Sequence, residues 1–447
     1  MFSHSRTNPA TTVFLLAFLP AVLGAAEQKP SFTFGQVDLK LLEECAAIER
    51  QFEKRGLVYS DPELANHLAS LTKGLLPEST PERVEWRFRV IRDPLVNAFA
   101  LPNGSIYVNT GLLALLENDD QLAGVLAHEI THVLNRHTYQ AYRSYRKKMV
   151  ALHVLVAATS WAPTGTVWGA TISVVGSISQ AVLVSTIFGY SRELEKEADV
   201  YAVEKMRQTG RDPSEMVKTF KLLEEKLEAE PVQTFYRDHP KLEERIAYTN
   251  NLVGAKAGRS SSEAGSAQKS AYLDRMENVI RHGIQMDIDS RRFRTAVARA
   301  QRVVDSDPKD PENVFCLAEA YRELGPRTAQ PSQKELSGGG QRQARKRLSN
   351  RTIEEEDKEL SSKPEGKAAW AANQAQAEKL YQQVLEMAPS VSKAHRGLGM
   401  VYEEQGKSSQ AVVEYRQYLE LSPEAPDKLR VQRRMEALDK KLKPPAD

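Results

Sequence analysis

His128, Glu129 and His132 stand together in the run VLAHEITHVLNRH at 125–137. On a helix the two imidazoles lie one turn apart and can converge on a single cation, while Glu129 beside them can take a proton from a water that the cation activates. The chemistry on offer is metal-assisted hydrolysis. Two histidines making ordinary hydrogen bonds on an amphipathic helix leave the same pattern, so the motif needs support from elsewhere in the chain. His137 does not supply it. It falls nine residues after His128, about half a turn out of phase on a continuous helix, and no glycine precedes it to break that helix. It reads as a helix-end residue whose protonated ring suits the negative end of the dipole.

A third ligand must come from a distant segment, and SRELEKEADVYAVEKM at 191–206 offers one. Glu195 and Asp199 are four apart and share a helix face; Glu195 can ligate, and Asp199 can stand behind an imidazole and orient it. Alone, the stretch reads as a solvated charged face. Beside HEITH it reads as the completion of the site. Imidazole and carboxylate donors make zinc the leading choice, one ion per chain, with a fourth position left to water.

The elements that must position these groups are also legible. Leu122, Val125, Leu126, Ile130 and Val133 recur at spacings of three and four, behind Asn118, Asp119 and Asp120, which can cap the helix start and place negative charge at its positive end. Ahead of that helix, alternation over 97–101, a Pro-Asn-Gly-Ser turn at 102–105 and a second run at 106–109 predict a hairpin. An edge strand through Asn97, Ala98, Phe99 and Ala100 can pair with the backbone of an extended protein substrate. The same hairpin can equally do no more than complete the fold.

HEITH followed downstream by SRELEKEAD resembles the gluzincin zinc metallopeptidases that include the CAAX prenyl endopeptidases, HtpX and BepA. The resemblance extends over roughly residues 30–250 and implies peptide-bond hydrolysis on a zincin-type fold. It places the third zinc ligand, the first Glu of an ExxAD motif, on Glu195 and not on Glu197. NAFALPNGSIYVNTGLL at 97–113 resembles the strand pair before the metal helix in that family, and DHPKLEERI at 238–246 its His-Pro motif with a following arginine. By that likeness His239 stabilises the transition state or occupies the open zinc position of a resting enzyme, with Arg245 nearby.

The chain has 447 residues, 41% hydrophobic and 27% charged, which suits a globular protein of two or three domains. A net charge of +2 predicts no nucleic-acid partner, and the basic run at 342–351 is answered at once by the acidic run at 354–357. His4 and Arg6, an apolar run at 13–23 and small residues at 24–26 read as a removable export signal, so an exported, periplasmic or envelope-associated protein is expected. Residues 149–190 are almost uncharged; a buried or membrane-surface helical hairpin beside the active-site cleft, with His153 packed in it, is favoured over two membrane spans. Cys45 and Cys316 lie far apart and read as two free thiols rather than a disulfide.

Downstream, the Gly, Ala and Ser content of 254–271 suggests a flexible linker. A repeat follows it. Ala377, Tyr381 and Pro389 return as Ala411, Tyr415 and Pro423, a period of 34 residues, and His395, Leu398, Gly399, Tyr402, Gly406 and Tyr418 fit tetratricopeptide positions. A partial copy carries Ala296, Ala300, Val303 and Pro308, then Leu317, Ala318, Tyr321 and Gly325, with its second helix resuming at Ala371. Residues 326–370 are thus expected to be a disordered insertion, and 427–442 a charged capping helix.

The expected architecture is mainly α (α+β). A signal peptide at 1–26 precedes a zincin-type metalloprotease domain with a small β-sheet at 27–252, a linker at 253–271 and an α-helical tetratricopeptide solenoid at 272–443. The expected function is zinc-dependent endoproteolysis in the cell envelope, with quality control of outer-membrane proteins added by the likeness to BepA. A protein partner or substrate would dock on the concave face of the repeats. The competing reading is a periplasmic chaperone or adaptor whose metal site is silent or locked by His239; Glu129 speaks against it, since a structural zinc has no use for such a carboxylate.

Overall fold

The computed structural model describes residues 33–144, 190–229, 242–254, 262–329 and 353–442. The expected signal peptide, nearly all of 149–190 and His239 lie outside these residues. No helix among them is long and apolar enough to cross a membrane.

The N-terminal half is organised around one helix. Helices α1 (Gln36–Lys54) and α2 (Pro62–Thr72) lead into strands β1 (Arg87–Ile91), β2 (Ala98–Ala100) and β3 (Ser105–Asn109). The strand order is β1-β3-β2, with β1 parallel and β2 antiparallel to β3. The expected hairpin is present, with Ala98 opposite Val108 and Ala100 opposite Ile106, and β2 lies at an edge of this sheet. Its turn depends on Gly104, whose φ is +95° and whose missing Cβ would sit 2.6 Å from the Glu85 carbonyl oxygen.

A short helix, α3 (Thr110–Leu113), then hands the chain to α4 (Asp119–Leu134). Asn118 caps α4 by accepting from the Gln121 N–H at 2.9 Å, and Asp119 and Asp120 occupy its first turn. The amphipathic pattern understates its environment, because every residue from Gln121 to Val133 is buried. Strand β2 and helices α5 (Arg192–Gln208) and α6 (Ser214–Ala229) enclose it. Helix α7 (Leu242–Val253) closes on α5 and α6.

The linker expected at 253–271 is helical from Ser262 onward, where α8 (Ser262–Asp289) begins. Ala, Glu and Lys favour a helix once Tyr272, Leu273, Met276, Val279 and Ile280 of the same helix are buried. The Tyr272 hydroxyl donates to the Leu113 carbonyl at 2.9 Å, and Lys269 and Arg275 pair with Glu117 and Asp119 at 2.7 and 2.9 Å. From α9 (Phe293–Ser306), Arg302 donates to the carbonyls of Ala114, Leu115 and Leu116. The repeat region is thereby bolted to the segment that feeds the HEITH helix.

Helices α10 (Pro311–Leu324), α11 (Ile353–Ser362), α12 (Pro364–Met387), α13 (Ser392–Glu404), α14 (Ser408–Leu421) and α15 (Lys428–Leu442) follow. The 34-residue period reflects close packing: a Cβ on Gly397 would lie 2.3 Å from the Tyr381 ring, and one on Gly399 2.7 Å from that of Tyr415. Disorder was expected across 326–370, but the second part of that range is helical. Helix α11 starts at Ile353 and α12 at Pro364, ahead of Ala371, while 330–352 lie outside the described residues. Cys45 and Cys316 are both free thiols.

Candidate metal centre

His128, Glu129 and His132 come from the buried middle of α4, and Glu195 and Asp199 from the buried face of α5, where Ala198, Ala202, Val203 and Met206 hold the two helices together. The Nε2 atoms of His128 and His132 face each other at 2.9 Å. Glu195 Oε2 lies 3.5 Å from His128 Nε2, and Oε1 lies 3.8 Å from His132 Nε2. The donor atoms of the three residues all fall within 4.8 Å of one another.

This donor set fits a cation. Asp199 Oδ1 is 2.8 Å from His128 Nδ1 and can accept its proton, which leaves Nε2 with a lone pair aimed at the second imidazole and at the carboxylate. Two imidazoles and a carboxylate converging in a buried pocket are donors suited to zinc.

Arg245, from α7, is 2% exposed and forks onto Asp199, with Nε 2.8 Å from Oδ2 and Nη2 2.6 Å from Oδ1. Its Nη1 is 3.2 Å from Glu195 Oε2, its guanidinium lies 4.3 Å from the centre of the Phe220 ring, and the Tyr248 hydroxyl donates to Asp199. Burial disfavours the Asp199 anion, but Arg245 and His128 outweigh it and hold its pKa below the usual value. Burial pulls His128 down, yet the hydrogen bond and charge of Asp199, with Glu195, push it up to about 9. Glu129 is raised to about 8, chiefly by burial; His128 opposes the rise and Glu195 adds to it. A backbone hydrogen bond from Ala100 ties Glu129 to the edge strand.

The arrangement gathers His128, Glu129, His132, Glu195, Asp199 and Arg245 at one place, with strand β2 against α4 and Ala100 of that strand at Glu129. Several neighbours escaped the sequence reading. Tyr190 stacks on His132, ring centres 3.8 Å apart and planes 14° apart. His137 is fully buried, with Nδ1 2.9 Å from His132 Nδ1 and Nε2 3.3 Å from Glu197 Oε2. Burial lowers the His137 pKa, so at neutral pH it is not the cationic helix end that was expected. The signal was present in the third histidine of HEITHVLNRH; nothing around Tyr190 marks it.

Fold and site together define a zincin-type metallopeptidase domain joined to tetratricopeptide helices. Residues 62–253 match the model of Peptidase family M48, and residues 364–426 that of a tetratricopeptide repeat. The chain is similar to mitochondrial metalloendopeptidase OMA1 of Schizosaccharomyces pombe, 31% identical over 186 residues, covering 40% of this chain and 50% of that protein. The beta-barrel assembly-enhancing protease of Escherichia coli is 26% identical over 220 residues, 45% of this chain and 41% of its own length. Metalloprotease LoiP of Escherichia coli is 27% identical over 237 residues, 52% of this chain and 86% of LoiP. The chain thus spans half or less of the first two relatives.

Proposed function

We propose that this protein is an exported zinc metalloendopeptidase that cleaves proteins in extended form. The observation that carries the reading is geometric: two imidazoles and a carboxylate converge beside the buried carboxylate of Glu129. His128, His132 and Glu195 hold one zinc per chain. A zinc held there supplies a Lewis acid for the peptide carbonyl and acidifies water. Glu129 takes the proton of the attacking water and returns it to the leaving amine. The edge strand, Asn97, Ala98, Phe99 and Ala100, pairs with the substrate backbone next to Glu129.

Arg245 was expected beside the transition state. Its ion pairs with Glu195 and Asp199 support a positioning role instead: it holds the ligand carboxylate and the Asp199 that orients His128. His239 remains a transition-state or resting-state group by resemblance alone. The tetratricopeptide helices recruit substrate or a partner protein, and the name of the beta-barrel assembly-enhancing proteases favours quality control in the envelope. Export rests on the apolar run at 13–23.

The test is casein cleavage by the mature protein beside Glu129→Gln, with metal measured on both. Cleavage by the wild type, and a variant that keeps one zinc yet loses about 10²–10⁴-fold in rate, is the expected result. Two zinc-loaded proteins that both fail to cut would favour the adaptor reading.

A further inference from the structure

We propose that His137, backed by Glu197, is a positioning residue that fixes the tautomer and rotation of His132; this rests on the metal-site reading above. A ligand imidazole must offer a lone pair at the atom that faces the ion, and in His132 that atom is Nε2, turned toward His128 and Glu195. Its ring proton then sits on Nδ1, which is buried and needs an acceptor. The acceptor facing it is His137 Nδ1, at 2.9 Å. A neutral His137 that accepts at Nδ1 carries its own proton on Nε2, and this proton points at Glu197 Oε2, 3.3 Å away. Glu197 is held in turn by the Asn135 side-chain amide, which donates to its Oε1 at 2.7 Å. Each donor in the chain from His132 to Glu197 meets an acceptor, and the order is set by which nitrogen must stay bare.

The backbone is bent to make this contact. Five residues on a continuous helix would turn His137 about 140° away from His132. Helix α4 instead ends at Leu134, and Arg136 adopts a φ of +56°, a left-handed conformation unusual for a residue with a side chain, which swings His137 back under the ligand. Tyr190 completes the clamp: its ring lies flat on His132 while its hydroxyl hydrogen-bonds Thr138 at 2.9 Å. Stacking sets the plane of the His132 ring, and His137 sets its rotation within that plane. Glu197, passed over as a ligand in favour of Glu195, gains a use in holding the outer end of the chain.

The test is chelator competition for zinc(II) and cobalt(II), with the visible spectrum of the cobalt form. It compares the full-length wild type, His137→Phe, His137→Asn, Glu197→Ala and, as a control on the metal site itself, Glu195→Gln. Loss of His137 is expected to weaken binding by about tenfold or more and to change the cobalt spectrum. His137→Asn should recover most of both, because its Oδ1 can accept where Nδ1 did; Glu197→Ala should lose a few-fold. Wild-type affinity and spectrum in His137→Phe would overturn the proposal, as would His137→Asn behaving no better than Phe, since the ring's packing and not its acceptor would then matter. Should His137→Phe fail to fold, Glu197→Ala decides: its position is half-exposed, and unchanged metal affinity there counts against the chain. A wild type that binds no metal, or Glu195→Gln that binds as well as wild type, would remove the underlying metal reading, a separate result that takes this proposal with it.

Discussion

His128 and His132 come from one helix, one turn apart, yet they rest on different supports. Behind His128 stands Asp199, a carboxylate with no exposed side-chain surface, locked by Arg245 and Tyr248 from α7. Behind His132 stands a neutral ring, His137, and the carboxylate beyond it, Glu197, keeps 42% of its side chain in solvent. A buried anion acts at short range and low dielectric, so it raises the basicity of His128 as well as orienting it. A neutral acceptor with a wet carboxylate behind it orients His132 and adds little charge. On the proposed metal site both arms support affinity by orienting a ring, but only the charged arm adds charge and the pH dependence that goes with it.

The largest effect is expected on the charged arm. Arg245→Ala leaves Glu195 and Asp199 buried without their cation and should cost about 3–5 kcal/mol of stability in the metal-free protein, read by urea unfolding. Zinc should restore part of it, because the ion replaces some of the missing charge. Indifference to Arg245→Ala would show that the Asp199 arm is not the stronger support.

A smaller effect separates the arms by pH. His128 holds a proton up to about pH 9 in the metal-free protein, and zinc must displace it. Zinc affinity should therefore rise with pH by up to about tenfold per unit and level off above about 9. In Asp199→Asn the His128 pKa drops, so binding at high pH should weaken by about 10–100-fold and the slope near neutrality should flatten. Glu197→Ala should leave that slope in place. Equal slopes in wild type and Asp199→Asn, measured by zinc competition from pH 6.5 to 9.5, would break the distinction.

The charged arm was legible in the sequence and the neutral arm was not, for a physical reason. His128, His132, Glu195 and Asp199 obey helical spacing on uninterrupted helices, so their faces follow from counting. His137 reaches His132 only because the helix breaks at Asn135 and Arg136 turns left-handed, without the glycine or proline that normally announces such a break. The same contrast holds for the fold. The 34-residue period marks the repeats, and the Pro-Asn-Gly-Ser turn between two short runs marks the hairpin, whereas the start of α8, residues 262–271, reads as linker because its small residues say nothing of the surface that buries Tyr272 and Met276 downstream.

The most direct test is to strip the metal from the purified protein and add zinc back while following casein cleavage. Activity that vanishes on stripping and returns along a titration saturating at one zinc per chain is expected, with Glu129→Gln taking up the same zinc and staying inactive. Cleavage that survives complete metal removal, or a Glu129→Gln protein that recovers with the wild type, would contradict a catalytic metal site at HEITH.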